Sequence, residues 1–136
     1  MSPPLLLDTC ALIWMLNGDK LHGEAEAALR EAAGSGQVLV SPISAWEIGQ
    51  LVSKGRLRLV ADPLNWFQVA IDDGMTIASM PPSVLVAASF LPGSQLRDPA
   101  DRIIAATARA YGYRLMTRDR PLLDFAAEGH VQAIAC

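Results

Sequence analysis

Three leucines in a row, Leu5 to Leu7, end in Asp8 and Thr9, and a short apolar run closed by a polar turn returns at Val38–Val40 and at Leu115–Met116. Runs this short with no polar face read as strands buried on both sides. Helix patterns fill the intervals between them, and no two-residue turn joins one strand directly to the next. Strands alternating with helices require crossover connections, hence a mostly parallel sheet covered on both faces. The expected fold is therefore α/β, a three-layer αβα sandwich with a mostly parallel central sheet, and a chain of 136 residues makes one such domain, 1–136.

Taken in order, Leu5 to Leu7 is expected as the first and central strand, Cys10–Leu16 as a short buried helix, and His22–Ala33 as a polar-faced helix ending at Gly34. Val38–Val40 is the second strand, and Ser44–Ser53 is a helix. Lys54 to Leu59 alternates basic with small or apolar residues, which suits an extended connection with one charged face or an irregular loop. Asp62 and Pro63 open a helix that runs to Asp72; Thr76–Ala78 is a short strand, and Ser83–Phe90 a helix stopped by Pro92. The stretch from Arg97 to Asp119 is the best marked. Asp98 caps a helix, Pro99 takes a first-turn position where its missing N–H costs nothing, Gly112 closes the helix, and the strand Arg114–Met116 runs out into Thr117, Arg118 and Asp119. A helical turn at Arg120–Leu123 and an edge strand at Val131–Ile134 complete the chain.

Composition excludes several classes. Cys10 and Cys136 lie at opposite ends without companion histidines, so neither a zinc site nor a disulfide framework is indicated, and a reducing cytoplasm is the expected setting. No leader pattern or membrane-length apolar run is present. A net charge of −3 argues against nonspecific coating of nucleic acid, and 51% hydrophobic residues point to surface buried against another chain.

Four acids share one topological address. Asp8 ends a strand, Glu47 and Asp101 fall in first turns of helices, and Asp119 follows a strand end, all at the carboxyl edge where α/β sheets form their crevices. Carboxylates gathered there either take up protons or share a multivalent cation. An all-oxygen set selects a hard ion, Mg²⁺ or Mn²⁺, and the reaction such a centre performs best is phosphodiester hydrolysis. Each acid also has a structural reading. Glu47 stands at capping-box spacing from Ser44, Asp101 complements the helix dipole, Asp119 opens a turn, and Asp8 caps the next helix. Thr9, Ser44 and Thr117 put hydroxyls beside the acids, suited to orienting them or an ion-bound water. Asp98, Asp62 and Asp72 are read as caps and turn residues. Arg97, Arg102, Arg114, Arg118 and Arg120 flank the same edge as candidates for holding phosphates.

The segments LLLDTCALIW (Leu5 to Trp14), SPISAWEIG (Ser41 to Gly49), RDPADRIIAATA (Arg97 to Ala108) and TRDRPLLDF (Thr117 to Phe125) resemble, in order, the four signature regions of PIN-domain ribonucleases of the VapC toxin type. The resemblance implies that Asp8, Glu47, Asp101 and Asp119 hold one or two Mg²⁺ or Mn²⁺ ions, with Thr117 beside them, and that the chain cleaves RNA, pairs with a cognate antitoxin and forms a homodimer. The chain departs from the pattern at Leu96 and Ala100, where related toxins often carry His and Phe; both lie outside the quartet. Two other readings compete. A phosphoacceptor with Asp8 as the phosphorylated group needs a further acid and a lysine nearby, and the only lysines are Lys20 and Lys54. A noncatalytic binding module leaves the acid cluster unexplained.

Overall fold

The computed structural model describes residues 2–21, 23–93 and 96–136. Among them lies a five-stranded sheet of order β3-β2-β1-β4-β5, in which β1 is Leu5–Leu7, β2 Val38–Val40, β3 Thr76–Ile77, β4 Arg114–Thr117 and β5 Gln132–Ala135. Every neighbouring pair is parallel, so the sheet is wholly parallel rather than mostly so. The central strand is the leucine triplet: Leu6 stands beside Leu39 on one side and Leu115 on the other.

Strand alternation divides the core in two. Leu5, Leu7, Val38, Val40 and Met116 point into one layer, where they meet α1 (Thr9–Leu16), α2 (Gly23–Ala33), α3 (Pro42–Ser53) and α4 (Pro63–Asp72) through Leu12, Ala25, Ile48 and Phe67. Leu6, Leu39 and Leu115 point the other way, onto Ile104, Ala105 and Ala108 of α6 (Pro99–Tyr111) and Leu122 and Phe125 of α7 (Arg120–Ala127). The short α5 (Pro82–Ala88) rests on α6 through Val84, Ala88 and Ala106. This is the expected three-layer sandwich. No helix among the described residues is long and apolar enough to cross a membrane.

Two boundaries, those of α3 and α7, differ from expectation for physical reasons. α3 begins at Pro42, because Ser41 is its cap and accepts the N–H of Ile43 at 3.1 Å; Ser44 is thus a helical residue, not a cap. Arg120–Leu123 is not an isolated turn but the start of α7, opened by Asp119, which accepts the Leu122 N–H, and stabilised by burial of Leu122 and Phe125. The Lys54 to Leu59 segment forms no strand; Leu57 and Leu59 turn toward the core and Lys54, Arg56 and Arg58 outward, as its alternation suggested. The expected helix start at His22 lies outside the described residues. α6 follows the sequence reading closely, with Asp98 accepting the Asp101 N–H at 3.0 Å and Gly112 closing the helix at φ +71°.

The strand order fixes the crevice. From β1 the chain moves outward to β2, whereas from β4 it moves outward to β5 on the opposite side, so the carboxyl ends of β1 and β4 flank the switch point of the sheet. Asp8 follows the first of these strands directly, and Asp119 follows the second two residues on.

Candidate active site

Asp8 is only 2% exposed, and both of its oxygens are engaged. Oδ1 accepts the N–H of Ala11 at 2.8 Å, capping α1, and Oδ2 accepts the hydroxyl of Thr117 at 2.5 Å. The Thr117 oxygen in turn accepts the N–H of Asp119 at 2.9 Å. One hydroxyl thus ties the ends of β1 and β4 together and fixes two of the four acids. Burial raises the Asp8 carboxyl; the Thr117 and Ala11 bonds lower it in part, and the charge of Asp119 raises it further.

Glu47 projects from the second turn of α3 and not the expected first, because the helix begins at Pro42, and its capping-box role is excluded by the cap at Ser41. Its Oε1 instead accepts the hydroxyl of Thr9 in a short hydrogen bond, and the Thr9 oxygen lies 2.9 Å from Ser44 Oγ. Since Thr9 has one hydroxyl proton and gives it to Glu47, Ser44 is the donor to Thr9. Burial raises the Glu47 carboxyl, the Thr9 bond lowers it, and Asp98, Asp8 and Asp119 raise it again. Asp101 stands one turn into α6. Burial, followed by repulsion from Asp98, Asp119, Glu47 and Asp8, pushes its carboxyl up to about 8. Asp119 caps α7, with Oδ2 accepting the N–H of Leu122 at 3.2 Å.

The four acids therefore face one another closely enough to repel, and Thr9, Ser44 and Thr117 bond within the same cluster. Among the described residues, however, no three carboxylates, thiols or imidazoles stand close enough to form a ready-made ion cage. Two of the four carboxylates, Asp8 and Glu47, are held by threonine hydroxyls. The donor set fits a hard divalent cation: carboxylates and hydroxyls alone, partly withdrawn from water, each raising the cost of its neighbours' charge.

Two neighbours gained a role that spacing alone did not assign. Asp98, read as a cap, is one and also adds its charge to Glu47 and Asp101; its position three before Asp101 was the available signal. Cys10, two after Asp8, is pushed up to about 12 by burial and then by all four acids, which keeps it a protonated thiol. Most of the flanking arginines are committed elsewhere. Arg102 donates to the carbonyls of Ala88 and Leu96, and Arg118 donates to those of Cys136 and Lys20 while lying 3.9 Å over the Trp14 ring. Arg114 pairs with Glu24 and Arg120 with Asp124.

A family model for the PIN domain matches residues 5–128. Ribonuclease VapC22 of Mycobacterium tuberculosis is 35% identical over 122 residues, covering 90% of this chain and 91% of that protein. The chain belongs to the PIN-domain family, as a VapC-type ribonuclease. The fold of this PIN domain is shared with VapBC2 from Rickettsia felis bound to a promoter DNA fragment, at a TM-score of 0.70 and 16% identity over 96% of this chain and 97% of that one. A toxin–antitoxin complex from Klebsiella pneumoniae matches at a TM-score of 0.63 and 22% identity, over 96% and 95% of the two chains.

Proposed function

We propose that this PIN domain, a single unit spanning 1–136, is the toxin of a toxin–antitoxin pair and hydrolyses RNA phosphodiester bonds with Mg²⁺ or Mn²⁺ held by Asp8, Glu47, Asp101 and Asp119. The observation that carries this reading is the gathering of four acids from four separate elements at the switch point of the sheet, where burial first and neighbouring charge second raise the Asp8, Glu47 and Asp101 carboxyls. A fold that concentrates negative charge without an internal cation gains nothing from doing so unless a ligand neutralises it. When bound, the ion supplies an activated water and stabilises negative charge on the phosphate.

The chain's own groups do the positioning. Thr117 holds the Asp8 carboxylate at Oδ2 and the Asp119 backbone at its N–H, fixing the two acids that flank the switch point. Thr9 holds Glu47 at Oε1, with Ser44 behind it. Burial and the neighbouring acids raise the Asp101 carboxyl to about 8, so a cation held by the cluster would favour its ionised form. Partners follow from the same reading: RNA as substrate, a cognate antitoxin as inhibitor, a second copy of the chain, and a cytoplasmic setting. The Klebsiella structure, itself a toxin–antitoxin complex, supports the antitoxin.

Purified protein free of any partner is expected to cut RNA in Mg²⁺ or Mn²⁺, stop in excess chelator and resume when metal is restored. Cutting that persists in chelator contradicts the proposal.

A further inference from the structure

One face of α3 leads away from the acids into a groove of about 210 Å³ lined by Trp46, Glu47, Gln50, Lys54, Arg56 and Asp98, with Leu51 at its floor. Of the three tryptophans, Trp14 and Trp66 pack against the core, while Trp46 is 55% exposed. Trp46, Gln50 and Lys54 are four apart, so they form one row along the helix, and Glu47 lies beside its acid end. The basic end is built by the helix terminus. Gly55 takes φ +70°, the N–H of Gly55 bonds to Val52 O at 3.0 Å, and that of Arg56 returns to Leu51 O at 2.8 Å. This glycine-closed terminus folds Arg56 back along α3 instead of letting it leave with the loop. Leu57 and Leu59 then anchor the following segment on the core, which keeps Arg58 outward as well. Among the described residues, Lys54, Arg56 and Arg58 form no ion pair.

We infer that this groove is a substrate subsite that receives one unpaired nucleotide of the RNA next to the scissile bond, its base stacked on Trp46 and its phosphate held by Lys54 and Arg56. The inference rests on the ribonuclease reading and extends it from the reacting phosphate to its neighbour. The chemistry of the row is matched to a nucleotide: an exposed aromatic face for a base, an amide for its edge, and two cations for a phosphate. Charge also fixes its direction. The carboxylate end excludes a phosphate that lacks a bridging cation, so the neighbouring phosphate lies toward Lys54 and Arg56. Duplex RNA does not fit, because a paired base has no free face to lay on the indole.

The test uses the intact protein, a fluorescein-labelled oligouridylate eight-mer in chelator at low salt, and cleavage of the same oligomer in Mn²⁺. Trp46→Ala is expected to weaken binding by about 5- to 150-fold, the worth of one base–aromatic stack. It is expected to raise KM while leaving kcat near the parent's, and Trp46→Phe to recover most of the loss. Lys54→Ala combined with Arg56→Ala is expected to flatten the slope of log affinity against log salt by about 0.7, as one single-strand phosphate left without its cations requires. All three positions are on the surface, so melting temperatures should match the parent's. Parent-like binding and KM in Trp46→Ala, with RNA still cut, overturns the subsite and leaves the ribonuclease reading standing. A protein that cuts no RNA overturns both. If these variants lose a co-expressed antitoxin but keep RNA affinity, the groove is a protein-binding surface and the inference fails.

Discussion

Thr117 serves two acids with one hydroxyl, donating to Asp8 and accepting from the backbone of Asp119, and it is fully buried. Thr117→Val keeps the shape and removes both bonds, so it should cost about 1–3 kcal/mol in urea unfolding, while Thr117→Ser, which keeps the hydroxyl, should cost much less. Asp101 gives the opposite kind of prediction. Its carboxyl moves from an ordinary 3.8 when unfolded to about 8 when folded, so between those values the native state binds the extra proton. Stability from this group is complete below 3.8 and is lost as pH rises through 8. In chelator the urea midpoint should therefore fall as pH rises from 6 to about 9. Asp101→Asn should flatten that fall, and Mg²⁺ should reverse it in the parent by binding only the native state. At this scale the places of Asp8, Asp101 and Asp119 beside a strand end or a helix start were legible in the sequence, whereas Glu47 was not, because α3 begins at Pro42 and carries it in its second turn. Nor were the partners of the acids: Thr117 and Asp8 are 109 residues apart, and Thr9 and Ser44 are 35 apart, separations that no local pattern encodes.

α6 was the most legible element, since its cap, proline, apolar face and closing glycine are all local signals and all agree. The start of α3 was misread because both Ser41 and Ser44 can cap, and Ser41 takes the role with Pro42 in the first turn. α7 was shortened because Asp124 and the alanines after it give a weak pattern, and the burial of Phe125 against the sheet that completes the helix is a tertiary effect. Asp98 offers a test of how α6 serves the site. Asn caps a helix as well as Asp does, so Asp98→Asn should keep the N-terminal turn and remove repulsion from Glu47 and Asp101. In chelator its melting temperature should equal or exceed the parent's, whereas Asp98→Ala should lose the cap, worth about 1 kcal/mol. A drop in Asp98→Asn as large as in Asp98→Ala would mean that the repulsion has no weight.

Over the whole molecule, strand alternation with crossovers determined the layers, the strand order placed the crevice, and the apolar excess stayed unassigned because a partner surface has no periodicity of its own. The structure shows where part of that excess lies: Leu85 and Val86 on α5 and Phe90 just beyond it are exposed, Phe90 at 81%, beside a cavity of about 290 Å³ lined with Ala106 and Ala110 of α6. If this face joins two copies of the chain, Phe90→Lys should shift the sedimenting species from dimer to monomer while leaving the melting temperature nearly unchanged. A parent that sediments as a monomer at high concentration would remove the dimer. The antitoxin is checked separately by co-purification with the product of the neighbouring reading frame, which should bind and stop RNA cleavage. The question beneath all of these is whether the acidic crevice is the place where RNA is cut. Single-turnover cleavage of RNA in saturating Mn²⁺ by the parent and by Asp101→Asn answers it most directly. The variant, folded and at least as stable in chelator, should cut more slowly by a factor of about 100 or more, ~2.7 kcal/mol on the barrier; cleavage at the parent's rate would contradict a metal-dependent centre built on the four acids.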